Sequence, residues 1–388
     1  MKERSESVAL ERVIISGGGT GGHIHPAVAI ADEIKHRYPD CEILFVGAIG
    51  RMEMEKVPQS GYPIQGLWIS GIDRNWRSKR NLTFPFKLVI SLVKAGRIIR
   101  KFKPQIAVGV GGFASGPLLY RAALKGIPTA IQEQNSFPGI TNRLLANKVQ
   151  LICAGFPGLN RWFPADRIIE TGNPLRENVT KIHTLHPDQK AKAVAHFGFN
   201  GNRPVAFIMG GSLGAGSMNE AVLAIARQIE KQQKALPYDL LWQCGARYQE
   251  AMGKVLRAMN LPPEQSIVCV GFIDRMDHAY SVADIIASRA GAMSIAELAL
   301  VGKPTLLVPS PVVAEDHQTK NARSLSDRGG ALLISDSDIV DRLEPTLSQL
   351  FDDPEQQKSL TDALKGSARP NAAMDVVSEL EKLLMHST

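Results

Sequence analysis

Short apolar runs alternate with longer amphipathic stretches along most of the chain. In the first half, runs that predict strands lie at 12–16, 42–46, 105–109, 128–132, 150–154 and 168–171. Helical patterns lie between most of them, an alternation typical of βαβ units in a parallel sheet. It stops near residues 172–176, where a polar stretch begins.

The same alternation starts again at Val205. Further strands are predicted at 205–209, 239–243, 267–270, 284–287, 304–308 and 331–334. Each half opens with a strand, a glycine-rich turn and a helix, so we predict an α/β fold of two doubly wound, Rossmann-like domains facing a cleft. The expected domains are 9–176 and 177–365, with a C-terminal helix at about 366–388 that crosses back onto the first.

The opening glycine turn, residues 16–23, reads Ser-Gly-Gly-Gly-Thr-Gly-Gly-His. It ends a predicted strand and begins a helix, a place where backbone N–H groups and the helix dipole suit an anion. Gly17, Gly19 and Gly22 also fit G-x-G-x-x-G, but a dinucleotide site needs an acid after the second strand. That strand ends in Gly47-Ala48, so the turn indicates only an anion site; a tight turn that binds nothing is the alternative.

Other polar or glycine-rich segments follow predicted strands. Residues 109–117 are a second glycine turn of the first half, which lines a ligand site or simply needs positive φ. Residues 132–135 (Gln-Glu-Gln-Asn) suit a hydroxyl-rich ligand or cap the next helix. Arg176 reaches a diphosphate or is a solvated surface arginine.

Two acidic motifs have structural alternatives. Ser294-Ile295-Ala296-Glu297 fits a capping box, or places Glu297 on ribose hydroxyls. Asp336-Ser337-Asp338 looks like the acid pair of some metal-dependent sugar transferases, but it precedes a helical pattern, and we interpret it as helix capping. No acid or histidine cluster has convincing ligand spacing, so we expect no tightly bound metal and no cofactor.

Composition and charge narrow the class of protein to which this chain can belong. The chain has 388 residues, 44% of them hydrophobic and 21% charged, which is typical of a folded soluble protein. Neither a secretory signal nor an apolar run of about 20 residues is evident. The net charge is +7, yet residues 72–103 hold ten basic residues and one acid, a local +9.

This basic segment is the candidate partner surface. Residues 82–100 mix apolar and basic side chains, which predicts either an ordinary core-facing helix or a patch for an anionic membrane. We favour the membrane. The proposed patch residues are Phe84, Phe86, Lys87, Lys94, Arg97 and Arg100. Nucleic acid is a third alternative, but no nucleic-acid motif accompanies the patch, and we expect no nucleic-acid partner.

Nine motifs in order carry a family resemblance. They are residues 17–23 with Pro26, 50–53, 109–117, 133–135, 172–176, 210–215, 271–274, 288–292 and 317–322. Together they resemble the MurG family, the bacterial lipid-linked N-acetylglucosaminyltransferases of peptidoglycan synthesis. Gln132 and His25 depart from the family pattern of His and Phe, and we expect both on the acceptor side.

The resemblance implies a B-type glycosyltransferase with an N-terminal acceptor domain and a C-terminal UDP-sugar domain. The implied reaction is inverting transfer of N-acetylglucosamine from UDP-N-acetylglucosamine to the muramoyl C4 hydroxyl of undecaprenyl-diphosphate-linked muramoyl-pentapeptide. It also implies a peripheral protein on the cytoplasmic face of the bacterial inner membrane, with other cell-wall synthesis proteins as partners. The implied donor contacts are Thr20, Gly21, Gly22, Asn135, Arg176, Ser212, Ile273, Ala292, Met293, Ser294, Ile295, Ala296, Glu297 and Gln318.

The acceptor hydroxyl needs a general base, and His23 is our candidate. A helix N-terminus disfavours its protonated form, which keeps the imidazole a neutral base. The alternative is that His23 only orients the acceptor diphosphate. Two rival functions are a UDP-sugar 2-epimerase of the same fold, which would need no lipid acceptor, and a basic nucleic-acid-binding module.

Overall fold

The computed structural model describes residues 9–71, 82–176, 179, 187–211 and 213–386, apart from the side chains of Pro187, Asp188 and Ala314. The chain forms two compact units. The first comprises Met1–Arg176 and Arg369–Thr388, and the second comprises Glu177–Ala368. The chain therefore leaves the first unit once and returns to it with its C-terminal segment.

In the described part of the first unit, seven parallel strands form one sheet in the order β3-β2-β1-β4-β5-β6-β7. The strands are β1 (Arg12–Gly17), β2 (Glu42–Ala48), β3 (Ile64–Leu67), β4 (Ile106–Gly111), β5 (Thr129–Glu133), β6 (Leu151–Ala154) and β7 (Ile168–Ile169). The helices are α1 (Gly21–Arg37), α2 (Glu53–Gln59), α3 (Phe84–Phe102), α4 (Ser115–Ala123) and α5 (Ile140–Leu145).

Alternate side chains of these strands belong to two cores on opposite faces of the sheet. Val13 and Ile15 of β1 join one core with residues of α1, whereas Ile14 joins the other with residues of α3 and α4. Successive strand side chains point to opposite faces, so a strand buried on both faces is a continuous apolar run. This burial explains why β1 and the other buried strands of the first half could be predicted from the sequence.

In the described part of the second unit, six parallel strands form a sheet in the order β10-β9-β8-β11-β12-β13. The strands are β8 (Val205–Met209), β9 (Asp239–Gln243), β10 (Ile267–Val270), β11 (Ile285–Ser288), β12 (Thr305–Leu307) and β13 (Leu332–Leu333). The helices are α6 (Pro187–Phe197), α7 (Gly216–Gln232), α8 (Gln249–Arg257), α9 (Met276–Val282), α10 (Ala292–Val301), α11 (His317–Ser326), α12 (Ile339–Asp352) and α13 (Pro354–Gly366).

The last helix, α14 (Ala372–Met385), belongs to the first unit and packs against α1. Val376, Val377, Leu380 and Leu384 of α14 are buried in the same core as the α1 side chains. Arg37 at the end of α1 donates hydrogen bonds to Glu381 and Ser378 of α14. Apolar burial and this polar contact together fasten the C-terminal segment to the first unit.

The predicted fold class, two doubly wound parallel sheets, is confirmed, with one strand missed. Strand β3 pairs with β2 at the sheet edge, yet the sequence did not predict it. Its four residues, Ile-Gln-Gly-Leu, include a single fully buried side chain, Leu67. An edge strand with so little buried apolar surface leaves a weak sequence signal.

Each sheet has a point where the strand order reverses, between β1 and β4 in the first unit and between β8 and β11 in the second. In open parallel sheets, ligands bind outside the carboxyl ends of the strands at this point. In the first unit these ends lead into the turn at 17–23 and the glycines at 111–112. In the second unit they lead into the turn at 210–215 and the start of α10.

Candidate active site

The two glycine turns of the first unit interlock at the β1/β4 switch point. Gly111 and Gly112 have φ of 105° and 90°. A Cβ on Gly111 would lie 2.7 Å from His23 Nε2, and one on Gly112 would lie 2.5 Å from the Gly18 carbonyl oxygen. Both the backbone conformation and the space therefore require glycine.

His23 is half-buried in the first turn of α1. Its Nδ1 lies 2.8 Å from the carbonyl oxygen of Gly18. A carbonyl oxygen only accepts hydrogen bonds, so Nδ1 carries a proton and the neutral ring has its lone pair on Nε2. The Nε2 atom is the one that faces Gly111. This arrangement presents a proton acceptor at the switch point.

Glu53 is a buried acid that enters the same turn from α2. Its carboxylate accepts hydrogen bonds from the backbone N–H groups of Gly19, at 2.8 Å, and Ala48, at 2.9 Å. The sequence contains no acid at the end of β2, but α2 brings this one back to it. Both oxygens are engaged by the backbone and the residue is only 1% exposed, so Glu53 organises the turn and does not present an acid for a ribose.

Of the predicted donor contacts, Thr20, Gly21 and Gly22 lie together in this turn, and Thr20 and Gly22 are exposed. His25 follows one helical turn later, where the pKa of its ring is lowered to about 4 by partial desolvation and by the positive charges of Arg176 and Lys56. Arg176 is exposed at the end of the unit. Its charge therefore acts near the turn, as an anion site needs.

The polar segment after β5 is held by Glu133, which is buried. One carboxylate oxygen accepts from the backbone N–H and the side-chain amide of Asn135, and the other accepts from Gly139 N–H and Asn142 Nδ2. Asn135 is half-buried and thus held at the strand end. The helix that follows begins at Ile140 with Gly139 at its N-cap, so Asn135 is not the N-cap residue.

We had expected Gln132 to face the acceptor, but its side chain does not lie on a ligand-facing surface. It is fully buried, and its amide donates to Asn173 Oδ1 at 3.0 Å. Asn173 in turn donates to the backbone oxygen of Gln134. The departure from the family's His at this position is accommodated by an internal amide network that joins the segment after β5 to residues 172–176.

In the second unit, the glycine turn after β8 packs against the end of β9. Gly214 has φ of 72°, and a Cβ there would lie 2.1 Å from the Cys244 carbonyl oxygen. The predicted contact Ser212 lies outside the described residues. Ile273, in the loop after β10, is 5% exposed; its side chain is a hydrocarbon, so any hydrogen bond it offers comes from its backbone.

Glu297 is fixed by a partner that the sequence did not reveal. The hydroxyl of Tyr280, a fully buried residue of α9, donates to Glu297 Oε2 at 2.9 Å. The helix α10 begins at Ala292 with Gly291 at the N-cap. The capping-box interpretation of Ser294 and Glu297 is therefore wrong, because Ser294 lies inside the helix. The predicted contacts Ala292 to Glu297 form the first turns of α10, beside the switch point.

Gln318, at the start of α11, ties two loops together. Its Oε1 accepts from the backbone N–H groups of Ala290, at 3.2 Å, and Ser310, at 2.9 Å. These loops follow β11 and β12. Gln318 thus shapes the same edge of the second sheet that carries Glu297, although its own sequence signal was only its place in a family motif.

The acidic motif at 336–338 is a structural one. Asp336 pairs with Arg289, and Ser217 at the start of α7 bonds to both. Asp338 occupies the N-cap position of α12, but its side chain accepts from Ser337 and caps no backbone N–H. The expected side-chain capping is wrong. Across the part of the chain that the structure describes, no group of three or more His, Cys, Asp or Glu side chains could hold a metal ion.

Helix α3 carries the candidate patch. Ser91, Ala95, Gly96, Ile98 and Ile99 are buried, as expected of a core-facing helix. The opposite face is an exposed apolar stripe, Phe86, Val89, Ile90 and Val93, and it runs into Lys94, Arg97, Arg100 and Lys101. Phe84 is half-buried and packs against the core, while Lys87 lies over the Trp68 ring. Arg74, Arg77, Lys79 and Arg80 lie outside the described residues.

Comparison with known proteins gives two family matches. Residues 13–153 match the glycosyltransferase family 28 N-terminal domain, and residues 205–376 match the glycosyltransferase family 28 C-terminal domain. A protein of Christiangramia forsetii is 49% identical over 96% of this chain and 98% of its own length. It is named UDP-N-acetylglucosamine–N-acetylmuramyl-(pentapeptide) pyrophosphoryl-undecaprenol N-acetylglucosamine transferase.

The chain belongs to the MurG family. A Flavobacterium psychrophilum protein with the same name is 44% identical over 96% of this chain and 98% of its own. Among solved structures, Acinetobacter baumannii MurG is 28% identical with a TM-score of 0.75, covering 96% of this chain and 99% of that one. A MurG-family chain is a glycosyltransferase, so the interlocked turns of the first unit and the β8/β11 edge of the second are each, within their own unit, candidate substrate-binding regions.

The fold alone does not distinguish this activity. A UDP-GlcNAc 2-epimerase from Neisseria meningitidis is 16% identical with a TM-score of 0.63, covering 96% of this chain and 100% of that one. That likeness shows only a shared fold. The family membership, which rests on identities of 44 to 49% over nearly the whole chain, decides against the epimerase alternative.

Proposed function

We propose that this protein transfers N-acetylglucosamine from UDP-N-acetylglucosamine to the C4 hydroxyl of undecaprenyl-diphosphate-linked muramoyl-pentapeptide. The observation that carries the proposal is the full-length similarity to transferases of that name. The product would be the lipid-linked disaccharide precursor of peptidoglycan, which would connect the enzyme to cell-wall synthesis, cell shape and cell division.

The first unit would bind the acceptor and the second the UDP-sugar. In the second unit, the predicted donor contacts follow strand ends of one sheet, where nucleotides bind in such folds. They are the turn at 210–215, Ile273, the start of α10 and Gln318. Glu297, held by Tyr280, would accept hydrogen bonds from the ribose hydroxyls. In the first unit, Thr20, Gly21 and Gly22 would contact the sugar end of the donor or the acceptor diphosphate. Asn135 and Arg176, also in the first unit, would be further donor contacts.

The reaction would be a single displacement with inversion at the sugar C1. His23 Nε2 would remove the proton of the acceptor hydroxyl as the new C–O bond forms and UDP leaves. The hydrogen bond from Nδ1 to Gly18 supports this role because it fixes the tautomer with a basic Nε2. Arg176 and the Ser212 turn would stabilise the leaving diphosphate electrostatically, without a tightly bound metal.

The decisive assay supplies labelled UDP-N-acetylglucosamine with and without the lipid acceptor, in the presence of a chelator. We expect a lipid-linked disaccharide only when the acceptor is present, and unchanged turnover with the chelator. Conversion of the donor without acceptor would favour an epimerase. Loss of transfer on chelation would overturn the metal-free mechanism.

The base assignment has its own test in H23Q. Glutamine fills similar space but cannot take the proton, so kcat should fall by roughly 10²–10⁴-fold, with donor affinity little changed. A retained kcat would show that His23 only orients the acceptor.

The enzyme would act as a peripheral protein on the cytoplasmic face of the inner membrane, where its lipid acceptor lies. None of the described helices is long and apolar enough to cross a bilayer. The exposed stripe of α3 combines apolar side chains with Lys94, Arg97 and Arg100, the composition that binds anionic membrane surfaces. Other cell-wall synthesis proteins are the partners we would expect at that location.

A further inference from the structure

One peptide group connects Glu53 with His23. The Gly19 N–H donates to Glu53 Oε2 at 2.8 Å. The Gly18 carbonyl oxygen accepts from His23 Nδ1 at 2.8 Å. These two atoms belong to the same peptide bond, between Gly18 and Gly19. The carboxylate, the peptide and the imidazole thus form a continuous hydrogen-bonded chain.

Two glycines leave the space that this chain of hydrogen-bonded groups occupies. A Cβ on Gly18 would lie 2.3 Å from the Glu53 carboxylate, and a Cβ on Gly47 would lie 2.5 Å from Glu53 Cγ. The second carboxylate oxygen accepts from Ala48 N–H at the end of β2. Glu53 is therefore clamped between two strand ends, in a niche that any larger residue at 18 or 47 would fill.

A carboxylate at one end of a peptide group polarises the hydrogen bond at its other end. Negative charge at the N–H makes the carbonyl oxygen a stronger acceptor, and chains of hydrogen bonds strengthen one another in a low-dielectric interior. A stronger acceptor at Gly18 holds the proton on Nδ1 more firmly and makes Nε2 more basic. A carboxylate bonded directly to a histidine does this in a serine-protease triad; here a peptide intervenes.

We propose that Glu53 is a positioning residue for the transfer reaction, acting on His23 through the Gly18–Gly19 peptide. It fixes the Nδ1–H tautomer and raises the basicity of Nε2, so that the imidazole takes the acceptor proton. This rests on the proposed role of His23 as base. The carboxylate, the peptide and the imidazole all belong to the first unit, so the proposal involves none of the contacts given to the second unit.

Other charged groups surround the turn. Arg51, just before α2, lies over the Phe113 ring. His25 on the same helix as His23 has Lys56 and Arg176 as charged neighbours. Gly111, the residue of β4 that faces the His23 ring, brings no charge, and neither does the neighbouring Gly112. Glu53 is thus the one acid hydrogen-bonded to this turn among the described residues, amid several cations.

The test compares E53Q with E55Q in the intact protein. Glu55 is an exposed acid on the same helix, so E55Q removes the same charge without touching the turn. We expect E53Q to lower kcat by roughly tenfold and to move the acid limb of the kcat/KM profile down by about one pH unit, because imidazolium loses a stabilising negative charge. E55Q should leave both near wild type. If the acid limb of the kcat/KM profile stays at the same pH in E53Q, the proposal is overturned.

A second measurement keeps the proposal testable if E53Q folds poorly. Histidine labelled with nitrogen-15 reports which ring nitrogen carries the proton, and H23Q assigns the His23 signal. Wild type near neutral pH should show a protonated Nδ1 and a free Nε2. The opposite tautomer would overturn the proposal. The expected tautomer together with full activity of H23Q would instead overturn the base assignment and leave the positioning of the ring by Glu53 intact.

Discussion

At the scale of single residues, the space left by glycine is what brings the first unit's site together. Gly18 and Gly47 admit the Glu53 carboxylate, and Gly111 and Gly112 admit the His23 ring and the Gly18 carbonyl. The turn therefore works less as an exposed row of N–H groups than the sequence suggests. One of its N–H groups, that of Gly19, is already bound to Glu53.

G111A should abolish most of the activity. Its Cβ would lie 2.7 Å from His23 Nε2, so the ring must move, and a displacement of about 1 Å costs on the order of 10²-fold in rate. Steady-state kcat measures this. G126A is the matched control, because Gly126 also has positive φ, 72°, but its Cβ would meet nothing within 4 Å. Equal losses in both variants would mean that backbone strain, not the ring, is responsible.

Y280F should weaken donor binding more than catalysis. Removing the hydroxyl leaves Glu297 without the hydrogen bond that orients it, at a cost of about 1 kcal/mol, or roughly fivefold in the KM for UDP-N-acetylglucosamine. The preference for the ribo- over the 2′-deoxyribo-donor should fall as well. Y238F supplies the control, since Tyr238 is equally buried but its hydroxyl lies near Ser348. An unchanged ribose preference in Y280F would contradict the role given to Glu297.

At the scale of elements, α14 shows how the last segment completes the first unit. Its apolar side chains fill the core beside α1, and Arg37 adds directed contacts. The Arg37 guanidinium bonds to Glu33 on its own helix and to Glu381, Ser378 and the Met374 carbonyl oxygen on α14. Arg37 thus links the end of α1 to three residues of α14.

R37A should lower the free energy of unfolding of the first unit by roughly 1–3 kcal/mol, because Glu33 loses its Arg37 donor and Glu381 keeps only the Tyr38 hydroxyl, while both carboxylates stay partly buried. Urea denaturation followed by tryptophan fluorescence measures the change. K382A removes an exposed pair with Glu379 on the same helix and should cost at most about 1 kcal/mol. If K382A lowers the free energy of unfolding as much as R37A does, the contact between α1 and α14 contributes no more to stability than an exposed ion pair.

At the scale of the whole molecule, the uneven charge is the main feature. The chain carries +7, and the segment 72–103 alone carries +9. Within the described part of that segment, the positive side chains lie beside an apolar stripe in which Phe86 is 71% and Val89 60% exposed. A helix that only faced the core would not leave four large apolar side chains in solvent.

Neutralising Lys94, Arg97 and Arg100 to glutamine should weaken binding to anionic vesicles by roughly 100-fold, at about 1 kcal/mol per charge. Sedimentation with phosphatidylglycerol vesicles measures it, and the wild-type affinity should fall with salt. The control removes three exposed lysines of the second unit, as K231Q, K234Q and K254Q. If both triple variants bind alike, net charge rather than the α3 surface is responsible.

The sequence was sufficient to predict features whose signal lies in a short continuous stretch of residues. Continuous apolar runs predicted the buried strands, and glycine turns located the ends of β1, β4 and β8, the kind of position where ligands bind in such folds. It was insufficient where a residue's partner is distant in the chain or depends on side-chain geometry. Glu53 and Tyr280 lie in ordinary helical patterns, and no local signal tells that one reaches Gly19 and the other Glu297.

The sequence by itself determined the fold class, the family and the type of chemistry, because burial on both faces of a sheet and ordered motifs are properties of the linear pattern. The tertiary structure decided which atoms meet. It filled the opening turn with a carboxylate from α2, directed the lone pair of His23 to Nε2, and moved Ser294 into a helix that begins earlier. Hydrogen bonds and steric exclusion act over a few ångströms, and only the folded chain brings those groups within that distance.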